Sequence, residues 1–139
     1  MVWVRGIVVW VAMMAAETVH GTLRTLWLAP RLGDVRARQV SMLTGSLLIL
    51  SIALVFIRWV NARTRLRLLG VGLIWVVLTV VFEVGLGLLV FRFPIDRIVA
   101  EYLPWRGGHM WLGMLLLAAS PLMTARLRRV PPFAVTVQE

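Results

Sequence analysis

Two glutamates, two histidines and one arginine stand inside or at the edge of apolar stretches of this 139-residue sequence, and they are the residues with chemistry to offer. Glu17, His20 and Arg24 are spaced i, i+3, i+7. On a helix that spacing gathers them within roughly 60° of one face, with Met13 beside them. Glu83 shares a face with Gly72, Thr79 and Gly87; His109 shares one with Gly113, Ser120 and Thr124; Ser41, Thr44 and Gly45 form a fourth polar patch. Glu17 and Glu83 fall at a similar depth in their apolar runs, and His20, Arg24, Ser41, Thr44 and His109 lie toward the same end. The spacing therefore predicts one polar cluster of Glu17, His20, Arg24 and Glu83, with His109, Ser41 and Thr44 as further candidates.

Several chemistries would use such a cluster. Proton-coupled transport needs an ionisable group in low dielectric that trades a proton for a cargo. Glu17 or Glu83 would hold the proton, His20 would relay it and Arg24 would tune it. A metal is a second use, because Glu-x-x-His on a helix points both ligands the same way; Glu17, His20, Glu83 and His109 are the candidate ligands. The di-iron pattern needs two such motifs and two further glutamates, and here there is one motif with one further glutamate. Bis-histidine haem through His20 and His109 requires both at one depth, whereas His20 is one to two turns deeper. A hydrolase would take Thr18, Ser41 or Thr44 as nucleophile and His20 as base, but no nucleophile motif surrounds any of them. The same charges also serve a plain structural role, neutralising one another and fixing helix register. Arg24 would then snorkel to the headgroups, and His109, after Gly107 and Gly108, would be an uninvolved interfacial histidine. No catalytic residue is assigned, and no cofactor is called for. A transporter or carrier leads, ahead of a non-catalytic accessory subunit of a larger membrane complex and a metal- or haem-binding redox protein.

The solvent for these groups follows from composition. Hydrophobic residues make up 60% of the chain, 15% of residues are charged, and the mean hydropathy is +0.89. A soluble domain of this size cannot hide that much apolar surface in one core, so the partner is the lipid bilayer. The net charge of +9 comes entirely from arginine, which suits a GC-rich bacterial genome. The arginines cluster in the gaps between apolar runs, where loops meet headgroups, and nucleic acid is not expected as a partner. The absence of cysteine excludes disulfides, thiolate metal sites, cysteine nucleophiles and covalent c-type haem. The first residues resemble a signal peptide, but the cleavage rule would put Met13 or Met14 where a small residue belongs. The apolar run also continues to Leu28, so a retained first span is expected.

The fold class expected is all-α: a single-domain, integral membrane four-helix transmembrane bundle. Its spans fall at about 3–28, 39–60, 68–93 and 107–127, followed by a short tail, 128–139. The runs are continuous rather than alternating, which excludes a β-barrel. Pro30 and Gly33 break the first run, NARTRLR ends the second and Pro94 ends the third. The segment PIDRIVAEYLPW predicts a short interfacial helix, with Ile95, Ile98, Val99, Tyr102 and Leu103 on one face and Asp96, Arg97, Ala100 and Glu101 on the other. Trp3, Trp27, Trp59, Trp105 and Trp111 form an aromatic belt near span ends, while Trp10 and Trp75 lie deeper and should pack between helices. Eight arginines fall on the side of the termini and six in the other two loops, which places both termini in the cytoplasm of a bacterial inner membrane. Glycine-bearing helix faces in so thin a bundle point to a homo-oligomer or to other membrane subunits.

Ala16-Glu17, then Gly21-Thr22 and Arg24, resembles the first-helix pattern of the small multidrug-resistance exporters, over about ten residues. The glycine comes one position late, rotating it ~100° from the expected face, and Glu83 and His20 have no counterpart there. AETVHGTLR, RARQVSMLTGSLLIL, FEVGLG and the RGG before the fourth span are similar to stretches of small uncharacterised bacterial inner-membrane proteins. That resemblance implies the four-span layout and carries no activity with it.

Overall fold

Lipid offers no hydrogen bonds, so each apolar run must satisfy its own backbone, and each does so as a helix. The computed structural model describes residues 1–106, 108–131 and 133. Among them are five helices, no strand, and four helices long and apolar enough to cross a bilayer. The chain is a multi-pass membrane protein. Helix α1 spans Val2–Leu32, α2 Asp34–Val60, α3 Arg65–Val90 and α5 Met110–Leu127; between α3 and α5 lies the short helix α4, Ile95–Tyr102. The residues expected as a tail fall largely outside the described set.

The expected breaks at Pro30 and Gly33 resolve into one. Proline has no N–H and its ring crowds the carbonyl four residues back. Helix α1 accommodates this by widening into a π-helical segment over Arg24–Leu28, where the Ala29 N–H reaches back five residues to the Arg24 carbonyl, and Pro30 then sits in a last α-turn. The chain turns at Gly33 alone, with φ +83°, a backbone region closed to most side chains, and α2 begins at once. So the second helix starts about a turn before the predicted position. Helix α3 ends the same way: its Leu86–Val90 segment is π-helical, followed by Pro94. Both widened segments lie at the end of the bundle away from the termini.

Helix α1 packs on α2 and on α3, and α5 packs on the same two, so the four helices close into a ring. Its middle is filled by Met13, Ile57, Leu68, Val71, Trp75 and Leu117, all essentially inaccessible. The two deep tryptophans lie between helices as expected. The Trp75 indole donates to the Gly6 carbonyl at 2.7 Å, and the Trp10 indole donates to the Thr79 hydroxyl at 2.9 Å. Both bonds tie α1 to α3 and give each buried N–H a partner. Trp3, Trp27, Trp59, Trp105 and Trp111 are exposed, as a lipid-facing belt requires.

Close approach is set by glycine at α3–α5. A Cβ on Gly72 would land on the carbonyl oxygen of Ala118. One turn further along α5, Pro121 leaves the Leu117 carbonyl without its usual helical donor, and the Ser120 hydroxyl donates to it at 2.8 Å. At the termini end, Arg5 of α1 donates to the Trp59 carbonyl and Arg128 donates to the Leu54 carbonyl. These two guanidinium groups cover the C-terminal, electronegative end of α2 from both neighbours.

Candidate functional site

The i, i+3 spacing of Glu17 and His20 puts both side chains on the α1 face that meets α2. There the Glu17 carboxylate lies 3.5 Å from Nδ1 of His20. His20 Nε2 lies 2.7 Å from Oγ1 of Thr44, whose hydroxyl also stands 3.0 Å from the Val40 carbonyl in its own helix. Gly45 makes the approach feasible: a Cβ there would sit 3.3 Å from both carboxylate oxygens and 3.4 Å from His20 Cε1. Two short motifs thus build one contact chain: Glu-x-x-His on α1, and Thr-Gly on α2. The second carboxylate oxygen, Oε1, is buried without a hydrogen-bond partner among the described residues. Ser41, one turn along α2 on the face of Gly45, is 5% exposed and its hydroxyl has no partner either.

The other expected members stand apart. Arg24, the first residue of the widened segment of α1, is half-buried and forms no ion pair within 4 Å among the described residues. Its charge acts on Glu17 and Glu83 through space only. Glu83 is exposed on α3 and lines a cavity of about 100 Å³ with Glu101, Tyr102, Phe91, Phe93 and Ile98. His109 is exposed at the N-cap of α5, and its side chain has no hydrogen bond among the described residues. Among the described residues no three His, Cys, Asp or Glu side chains are grouped as metal ligands, so Glu17, His20, Glu83 and His109 do not form the ligand set that their spacing allowed.

No family model, no curated protein and no solved structure matches this chain. Its geometry has to speak for it.

The Glu83 cavity exists because α4 folds back under the end of α3. The expected interfacial helix forms over Ile95–Tyr102, and Ile98 presses its Cδ1 onto Gly87, where a Cβ would be 2.8 Å away. Ile95 and Val99 of the same apolar face remain exposed. Glu101, assigned by pattern to the polar face, is exposed and also lines the cavity with Glu83. Burial, together with the Glu83 and Glu101 carboxylates, pushes the Tyr102 phenol up to about 12, because each disfavours a phenolate there. Phe91 and Phe93 stack with centroids 5.4 Å apart, and the Arg97 guanidinium lies 4.0 Å over Phe93 rather than pairing with Glu101. Glu101 and Tyr102 were missed as partners of Glu83 because period alone does not say how a short helix is rotated about its neighbour.

Proposed function

We propose that this multi-pass membrane protein is a proton-coupled carrier whose proton is held by the Glu17–His20 pair, with Thr44 as its switch. The observation that carries the reading is the Glu17–His20–Thr44 chain, considered for where its protons sit. A Thr44 hydroxyl that donates to the Val40 carbonyl can only accept from His20, so Nε2 carries hydrogen. Nδ1 then faces the Glu17 carboxylate across 3.5 Å, and the pair needs one further proton, on the imidazole or on the carboxyl, to avoid lone-pair repulsion. Turning the hydroxyl toward His20 reverses this. Thr44 then donates to Nε2, Nδ1 carries the hydrogen toward Glu17, and the extra proton is gone. One hydroxyl rotation therefore satisfies both proton inventories without moving a helix. A purely structural ion pair has no use for two satisfied states, and Arg24 would have closed on Glu17.

Among the described residues large side chains fill the middle of the ring, so this reading does not route a cargo through it. In this reading the path runs along the α1–α2 face and is completed by a second copy, in a bacterial inner membrane with both termini in the cytoplasm. The order carboxylate, imidazole, hydroxyl also matches an acid–base–nucleophile triad, which favours a hydrolase as the second reading. It fails on the oxyanion: Thr44 lies mid-helix, where backbone N–H groups are committed to the helix, and no donor pair faces its hydroxyl among the described residues.

Everted membrane vesicles test the carrier. Respiration builds a pH gradient, candidate cargoes are added, and collapse of the gradient is read from a quenched dye. At least one cargo class should collapse it with the wild-type chain, none with Glu17→Gln, and Thr44→Val should respond more slowly. Normal helicity of the variants excludes misfolding. Glu17→Gln behaving as wild type, or no cargo collapsing the gradient, would leave the accessory-subunit role in its place.

A further inference from the structure

The end of the bundle that carries the termini is unusually one-signed. Arg5, Arg58, Arg63, Arg65, Arg67, Arg126, Arg128 and Arg129 belong to it, and the six acids of the chain stand at 17, 34, 83, 96, 101 and 139. None of the five acids among the described residues is on that side. Arg5 and Arg128 are occupied with the carbonyls of α2, and Arg63 donates to Asn61. Two others flank a cavity.

That cavity, of about 420 Å³, lies between the first turn of α3 and the last turns of α5. It is lined by Arg65, Arg126, Leu122, Met123 and Phe133. The chain makes it by reversing after α5: Arg129 takes φ +51°, the Phe133 N–H bonds the Val130 carbonyl at 2.8 Å, and the Phe133 ring comes to rest with the Arg65 guanidinium 5.4 Å from its centre. Neither Arg65 nor Arg126 has a carboxylate within 4 Å among the described residues. Met123 is exposed on a spanning helix while Leu122 beside it packs against the core, so at Met123 the wall of the cavity is continuous with the acyl-chain region.

Two guanidinium groups with no carboxylate partner among the described residues, above an apolar wall and at headgroup depth, match an anion that brings its own hydrocarbon. We propose that this cavity binds an anionic phospholipid, with the phosphodiester between Arg65 and Arg126 and an acyl chain against Leu122, Met123 and Phe133. Arginine suits the role because its fork of N–H donors pairs with two phosphate oxygens at once. Basic pockets between membrane helices recognise headgroups in this way. The site is independent of the Glu17 carrier and lies at the opposite end of the bundle from it.

The test is native mass spectrometry of the full chain in detergent, titrated with phosphatidylglycerol, phosphatidylcholine or inorganic phosphate. Wild type should hold phosphatidylglycerol well above phosphatidylcholine. Arg65→Gln with Arg126→Gln should weaken it about thirtyfold, the effect of two interfacial arginines. Met123→Trp, which fills the cavity without changing charge, should weaken it as well, and it carries the test if the arginine variant misfolds. Arg63→Gln with Arg67→Gln, at the same end but outside the cavity, should leave binding intact. Equal loss in that control would show a diffuse basic surface and overturn the site. So would equal binding of the two lipids. Inorganic phosphate that competes fully, with Met123→Trp silent, would assign the arginines to free phosphate and overturn the lipid.

Discussion

Three glycine-to-alanine substitutions on three helices should give three different outcomes, set by what each new methyl meets. Alanine is the better helix former by about 0.5–1 kcal/mol, so a glycine with open space around it gains stability on substitution. Gly21 is such a site, with nothing within 4 Å of an added Cβ, and Gly21→Ala should stabilise by that amount. At Gly45 the methyl meets the Glu17 oxygens at 3.3 Å and His20 Cε1 at 3.4 Å, which are ends of flexible side chains. They yield by a few tenths of an ångström, so Gly45→Ala should unfold within about 0.5 kcal/mol of wild type while disturbing the Glu17–His20 pair. At Gly72 the methyl meets the carbonyl oxygen, carbon and Cα of Ala118, which belong to the backbone of α5. No rotamer relieves that contact. Helices α3 and α5 must separate, and overpacking at its upper usual cost of about 3 kcal/mol, less the propensity gain, leaves Gly72→Ala about 2 kcal/mol less stable. Equilibrium unfolding in mixed micelles, followed by helical circular dichroism, ranks the three. If Gly72→Ala is as stable as Gly21→Ala, the close α3–α5 approach is wrong and with it the ring that the approach closes.

Two further predictions concern single polar groups. Tyr102 is the only tyrosine, so phenolate absorbance reports it alone. Its midpoint should lie near 12 rather than 10, and should fall in Glu83→Gln, which removes one neighbouring charge. The folded phenol holds its proton more tightly than the unfolded one, so its contribution to stability is complete below pH about 10 and is lost as pH rises through about 12. A wild-type midpoint at 10 would remove Tyr102 from the Glu83 cavity. Ser120→Ala should cost about 1–3 kcal/mol by orphaning the buried Leu117 carbonyl, and Pro121→Ala should restore most of it by returning the backbone donor. Additive losses in the double variant would show that the serine hydroxyl serves something else.

Where the sequence was legible and where it was not divides along the bundle axis. Toward the termini and through the middle, helix faces are defined by a two-way contrast between interior and lipid. Val9, Met13, Ala53, Ile57, Val71, Trp75 and Leu117 repeat at helical spacing and point inward. A correct period there fixes burial, because packing large groups into the ring is what the helices have in common. Trp10 and Trp75 were recognisable as interior because an indole N–H away from the interface needs an acceptor, and each found one across α1–α3.

At the other end the contrast fails. The depth argument put Glu17 and Glu83 at one level, and it was silent on azimuth, which decides contact. Glu17 turns to α2 because Gly45 lets the carboxylate approach its backbone, whereas Glu83 turns to the space under α4. The π-helical segments compound this. Each shifts the phase of every residue beyond it, and Arg24, placed on the face of Glu17 by a 3.6-residue period, stands where the first such stretch begins and makes no ion pair within 4 Å among the described residues, while the Glu17 carboxylate meets His20. Pro30 signalled a disturbance, but proline tells only that one hydrogen bond is missing. A helix ends, kinks or widens in response, and the choice depends on neighbours that a single sequence does not display. The Glu-x-x-His and Thr-Gly pairs were visible because each lies within one turn of one helix. Their meeting rests on an absent side chain at Gly45, and the carrier hypothesis therefore makes that glycine, rather than a further charged residue, part of its proton site beside Glu17, His20 and Thr44.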